Sequence, residues 1–202
     1  MSTRTPAKDA HSTSSSLISR VRRQEPAAWA RLSELYGPLV YHWCRRTGLA
    51  AEDSADVVQE VFRAVSLAIE SFHDDRDGDT FRGWLWTITR NKIRDFARNQ
   101  HGKPQAAGGT AAHAQLIEVP DREPDTEEGS PTSPPVTRLI HRALEMIRTE
   151  FQESTWNAFR LTALEGCSAP QAAKELGSTP QAVRQAKSRV LRRLRAELGE
   201  LD

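Results

Sequence analysis

The chain has 202 residues, of which 38% are apolar and 27% charged, and a formal net charge of +1. Its two cysteines, Cys44 and Cys167, are too few for a disulfide framework, its six histidines show no metal-ligand spacing, and no nucleophile–base pair or phosphate loop appears, so binding without a cofactor is expected rather than catalysis. No apolar run is long enough to span a bilayer and the Ser/Thr-rich start lacks the apolar segment of a secretory signal, which predicts a cytoplasmic protein without membrane insertion.

The small net charge conceals segregation by sign. Glu52 to Asp79 is acidic, Arg82 to Lys103 basic, Glu118 to Glu128 acidic and Arg184 to Arg195 basic. Alternating blocks of this kind suggest several different partners along one chain.

Residues 1–15 are small and polar and predict a disordered tail. Helical character starts at Leu17, with Leu17, Ile18 and Val21 on one side and Arg20, Arg22 and Arg23 on the other. Pro26 opens the next helix, whose apolar positions Trp29, Leu32, Leu35, Tyr36, Leu39, Val40, Trp43 and Cys44 keep a 3.6-residue period. Gly37-Pro38 predicts a bend or break within it, and Gly48 its end. Ala51 to Phe72 reads as a third helix, apolar at Val57, Val58, Val61, Phe62, Val65, Leu67, Ala68 and Ile69. Glu52 and Asp53 suit the positive end of its dipole. Asp56, Gln59 and Glu60 lie further in, share an i, i+3, i+4 patch, and predict a protein-binding face.

The polar loop from Phe72 to Thr80 lacks the late bidentate Glu of a calcium loop. The helix after it, Phe81 to Gln100, places Phe81, Trp84, Leu85, Ile88 and Phe96 on one face. Arg90, Arg94 and Arg98 recur every four residues on the other, with Thr87 and Asn91 beside them and Trp86 and Ile93 on the flanks. That arrangement suits single-stranded or partly opened DNA: guanidinium groups hold phosphates, while a ring or an amide receives an unstacked base. Trp84, Leu85 and Ile88 are expected in the core, and Trp86 is the aromatic least committed to it.

Residues 101–135 are rich in Gly, Pro, Ser and acids without any period, the composition of an acidic flexible linker. The expected architecture is therefore all-α: two small helical domains, 16–100 and 136–202, each with its own small core. The second begins with helices over 136–150 and 152–164, the latter ended by Gly166. A helix–turn–helix follows. Ser168 and Gln171 have capping-box spacing, Gly177 suits a left-handed C′ position, Thr179 can cap the last helix, and Pro180 falls at its N1. Val183, Ala186, Val190, Leu194 and Leu198 form that helix's buried stripe. Arg184, Gln185, Lys187, Ser188, Arg189, Arg192 and Arg193 lie mainly outside it, and no acid appears between Glu175 and Glu197. Such a helix fits the major groove of DNA; its alternative is an Arg-rich solvated helix that grips an acidic partner.

The segment DVVQEVF, Asp56 to Phe62, then FRGWLWTITRNKIRDFAR, Phe81 to Arg98, then a linker and a C-terminal helix–turn–helix, resembles the extracytoplasmic-function (ECF) group of bacterial sigma factors, which keep only the second and fourth sigma domains. The resemblance implies an RNA polymerase sigma factor that directs core polymerase to promoters. Asp56, Gln59 and Glu60 match the segment that docks on the clamp helices of the polymerase β′ subunit, and the β flap is a second implied contact. Phe72, the loop after it and the start of the next helix match the part that captures a flipped base of the −10 element; Asn91 stands where the family often uses an amide, and Arg90, Arg94 and Arg98 track the backbone. The C-terminal helix is implied to read the −35 element as duplex, the linker to follow the polymerase's RNA path, and an anti-sigma factor to be a partner. One departure is that Val183 is followed by Arg184-Gln185-Ala186-Lys187 before Ser188-Arg189, where family members commonly run T-V-x-S-R. The rival readings are a helix–turn–helix repressor or activator acting without polymerase, which leaves DVVQEVF unexplained, and a helical protein-binding adaptor, which leaves both arginine-rich helices without a role.

Overall fold

Helix boundaries in the computed structural model, which describes residues 16–72, 80–101 and 134–199, fall where local chemistry puts them. Among the described residues the chain is all-α: α1 (Leu17–Arg22), α2 (Pro26–Arg46), α3 (Ala51–Ala68), α4 (Phe81–His101), α5 (Pro134–Arg148), α6 (Glu153–Phe159), α7 (Ala169–Glu175) and α8 (Pro180–Glu197). Ser16 caps α1 by accepting from the Ser19 amide. A short 3₁₀ turn, Ile69–Ser71, extends α3, and a π-helical turn, Arg160–Leu164, extends α6. The expected tail over 1–15 and most of the expected linker and of the Phe72 to Thr80 loop lie outside the described residues.

The helix–turn–helix is built by its caps. Ser168 Oγ accepts from the Gln171 amide while Gln171 Oε1 accepts from the Ser168 amide, completing the box. Gly177 takes φ +59°, the left-handed region that favours glycine, and turns the chain toward α8. Thr179 Oγ1 accepts from Ala182 N at 3.2 Å and Pro180 opens the helix. Ala172 and Ala173 of α7 pack with Val183 and Ala186 of α8 and with Ala158 and Leu161, a small cluster of its own.

Pro38 does not break α2, which runs unbroken from Pro26 to Arg46. Proline has no N–H to give the carbonyl of residue i−4, here Glu34. That carbonyl instead accepts from Arg142 Nη1 of α5 at 2.9 Å. The orphaned acceptor is satisfied from another helix.

Beside the small cluster around Ala172 and Val183, buried side chains also join the two expected domains. One buried cluster runs from Leu17, Leu32 and Trp43 through Val61, Phe81 and Ile93 to Leu139, Ile147, Phe159, Val190 and Leu194. Within the α5–α8 half, α8 packs on α5, α6 and α7, and α5 also reaches across to α2. Leu139, Ala143 and Ile147 of α5 join the core built on α2, and the end of α8 reaches α1. Tyr36 Oη donates to Leu198 O at 2.7 Å across the same boundary. Cys44 is sealed in this core, and burial pushes its thiol up to about 12.

Candidate functional site

Asp56 and Gln59 of α3 are exposed, and Glu60 is half-buried beside Arg63 Nη1 at 2.7 Å. Beneath them Val57, Val61 and Val65 face the core, so the valine row fixes which way the acids point. Between this face and α4 lies an open groove of about 390 Å³, walled by Asp56 and Glu60 on one side and by Lys92, Asp95, Phe96 and Asn99 on the other. The sequence reading did not single out Lys92, Asp95 and Asn99. Their i, i+3, i+7 spacing was the available signal, because it lays them in one row along α4.

On α4, Asn91 and Thr87 are exposed, Arg90 and Arg94 half-buried, and Arg98 exposed with Nη2 3.1 Å from Asp95 Oδ1. Of the three arginines only Arg98 is fully exposed, and the apolar face is turned from the predicted one. Phe81, Leu85, Thr89, Ile93 and Ala97 are buried in an i, i+4 row. Thr89 joins it because its hydroxyl donates to Leu85 O at 2.8 Å and leaves only its methyl to pack.

Two residues expected at DNA are core residues. Trp86 is 2% exposed and meets Trp43 edge to face with ring centroids 5.4 Å apart. Phe72, also 2% exposed, packs edge to face on Phe81 at 5.5 Å and against Trp84 at 5.2 Å. The guanidinium of Arg22 lies 5.9 Å from the Phe72 ring centroid and donates to the carbonyls of Ile69 and Phe72. Phe72 and Phe81 thus meet across the two ends of the loop, while Trp86 packs α4 onto α2.

On α8 the residues Arg184, Gln185, Ser188, Arg189 and Arg192 are exposed. A shallow basic groove of about 310 Å³ runs along Arg184, Lys187, Ser188, Arg192 and Arg195, with Leu191 as its floor. Lys187 is half-buried, and its Nζ reaches Thr162 O at 3.5 Å in the π-helical turn. Arg193 is the exception. It turns inward, 11% exposed, with Nε 2.6 Å and Nη2 2.8 Å from the two Glu150 oxygens and Nη1 2.7 Å from Glu197 Oε2. Burial opposes its charge, but Glu150 and Glu197 more than offset that and raise its pKa. Arg193 is thus removed from the expected DNA-facing set. Glu197, 1% exposed, also takes a bond from Arg31 of α2. Nothing local marks a glutamate in a basic helix as buried; only its distant partner does.

Among the described residues no group of His, Cys, Asp and Glu could hold a metal ion, and no helix is long and apolar enough to cross a membrane.

Residues 32–102 match the family model for sigma-70 region 2. Over 175 residues the chain is 31% identical to the ECF RNA polymerase sigma factor SigD of Mycobacterium tuberculosis, covering 82% of this chain and 74% of that one. It is 28% identical over 185 residues to the RNA polymerase sigma factor NccH of Alcaligenes xylosoxydans xylosoxydans, covering 92% of each. Among solved structures, that of CnrH in complex with the cytosolic domain of CnrY is similar at 26% identity, covering 89% of this chain and 93% of that one, with a TM-score of 0.37.

Proposed function

The chain belongs to the ECF group of RNA polymerase sigma factors, and from that membership we propose that it carries core polymerase to a two-part promoter, α3 gripping the enzyme, α4 the opened −10 strand and α8 the −35 duplex. The observation that carries this reading is the simultaneous exposure of an acidic patch on α3 and an acid-free basic face on α8. Asp56, Gln59 and Glu60 offer carboxylates and an amide to the basic clamp helices of β′, and the β flap is a second contact. Arg184, Gln185, Ser188, Arg189 and Arg192 offer forks and amides to base edges and phosphates.

At the −10 element, Arg90, Arg94 and Arg98 hold the backbone and Asn91 meets the displaced base. Phe72 acts from below, held on Phe81 and Trp84 where the capturing loop begins, and Trp86 packs α4 onto α2. The factor contributes location and strand opening and leaves bond formation to the polymerase, in the cytoplasm. An anti-sigma factor that covers these faces is a partner proposed on family grounds.

Mixing the purified chain with core polymerase tests the reading. Wild type co-elutes with the enzyme and supports promoter-dependent transcripts, whereas Asp56→Arg with Glu60→Arg weakens co-elution at least tenfold with helix content unchanged. Unchanged co-elution of the double variant would remove the docking assignment. A mobility shift of promoter duplex by the chain alone, with no effect of polymerase, would favour a repressor.

A further inference from the structure

Arg20, Arg22 and Arg23 lie together at the end of α1, and two of them are held by a neighbour in sequence. Arg20 Nε lies 2.8 Å and Arg23 Nη2 3.0 Å from the carboxylate of Glu25. Arg22 reaches away. Its Nε donates to Ile69 O at 3.4 Å, its Nη2 donates to Phe72 O, and its Cζ lies 5.9 Å from the Phe72 ring centroid.

The chemistry of that spot suits an arginine. The last carbonyls of a helix have no amide ahead of them, and the 3₁₀ turn Ile69–Ser71 is where α3 runs out. One planar guanidinium serves the Ile69 and Phe72 carbonyls together, and its charge suits the negative end of the helix dipole. The core does not need this group to hold α1, because Leu17, Ile18 and Val21 already bury that helix.

What Arg22 grips is the first member of a ring cluster. Phe72 meets Phe81 at 5.5 Å and Trp84 at 5.2 Å, Phe81 meets Trp84 at 5.6 Å, and Tyr36 backs Phe81 at 5.1 Å. Phe81 and Trp84 form the first turn of α4, where Thr80 Oγ1 accepts the Gly83 amide at 3.1 Å. The start of α4 is therefore braced from α1 through Phe72. Arg90 and Asn91, assigned above to the −10 backbone and the displaced base, follow on the same helix. The matched family region begins at residue 32, so α1 lies outside it.

We propose that Arg22 is a positioning residue for promoter opening: by holding Ile69 O and Phe72 O it braces the rings from which α4 presents Arg90 and Asn91, without touching DNA itself. The inference rests on the proposed role of α4 at the −10 element. Misplacing a working group by about 1 Å can slow a step by about 100-fold, so a slackened brace is felt at a distance.

The experiment compares wild type, Arg22→Ala and Arg22→Lys, each bound to core polymerase, on a genomic fragment chosen because wild type initiates from it. Co-elution reads polymerase binding, a footprint at low temperature reads the closed complex, and permanganate reactivity of −10 thymines reads the rate of opening. The same fragment with a mismatched, already open −10 segment is the control. Arg22→Ala keeps co-elution and footprint within about twofold of wild type, opens about tenfold more slowly, and recovers most of its initiation on the mismatched fragment. Arg22→Lys keeps the charge but not the fork and opens at an intermediate rate. Opening by Arg22→Ala at the wild-type rate overturns the inference. So does an equal loss of co-elution and opening on both fragments, which is the mark of a merely structural role. If circular dichroism shows that Arg22→Ala has lost helix, the folded Arg22→Lys decides: slower opening with intact co-elution sustains the inference, and wild-type opening overturns it. A wild-type chain that initiates from no fragment with core polymerase overturns the proposed function, and this inference with it.

Discussion

Replacing Trp86 by alanine separates a core ring from a base-stacking one. A Trp buries up to about 200 Å² of side chain, and at about 25 cal/mol per Å² that is roughly 5 kcal/mol. A compact denatured state lowers this to about 4 kcal/mol. The edge-to-face contact with Trp43 at 5.4 Å adds about 1 kcal/mol. Against this, Trp86 Nε1 is buried without an acceptor among the described residues, and removing it returns roughly 1–2 kcal/mol. The net loss for Trp86→Ala is about 3–4 kcal/mol, or roughly 6–16 °C in melting temperature for a chain of this size. Trp86→Phe keeps an aromatic ring in the core and deletes the unpaired N–H, so it stays within about 1 kcal/mol of wild type. Urea unfolding followed by circular dichroism measures both. If Trp86→Ala melts like wild type yet fails to open promoter DNA, the burial argument is wrong and the ring faces a base.

Arg189→Ala with Arg192→Ala lowers promoter use while leaving co-elution with core polymerase intact, and it reduces the slope of log affinity against log salt by about 2, one unit for each lost phosphate contact; an unchanged slope in a fluorescence titration would take these arginines off the duplex. The Cys44 thiol, held up to about 12 by burial, stays protonated in the fold while the unfolded chain ionises near 9.0. Stability from this group is therefore complete below pH 9 and is lost as pH rises from there toward 12. Cys44→Ala removes that part of the alkaline decline, and identical pH–stability curves for the two proteins would refute it.

Features fixed by near neighbours were legible in the sequence. Ser168, Gln171, Gly177, Thr179 and Pro180 act within a few residues of themselves, so spacing alone located the turn and both caps. The acidic patch on α3 was legible because a valine row four residues apart settles which side is buried. Residues decided by a distant partner were not. Trp86 is buried by Trp43, Arg193 by Glu150, and Glu197 by Arg31, which lies 166 positions away. Thr89 was missed for a different reason: a hydroxyl that bonds its own helix counts as apolar in packing and polar in any pattern.

The proline in α2 has a further consequence. By withholding one amide, Pro38 leaves Glu34's carbonyl available, and Arg142 from the other half occupies it. An alanine at that position would supply the missing amide, and Glu34's carbonyl would then divide its two lone pairs between its own helix and Arg142. What looks like a flaw in one element is thus a socket kept for its neighbour alone.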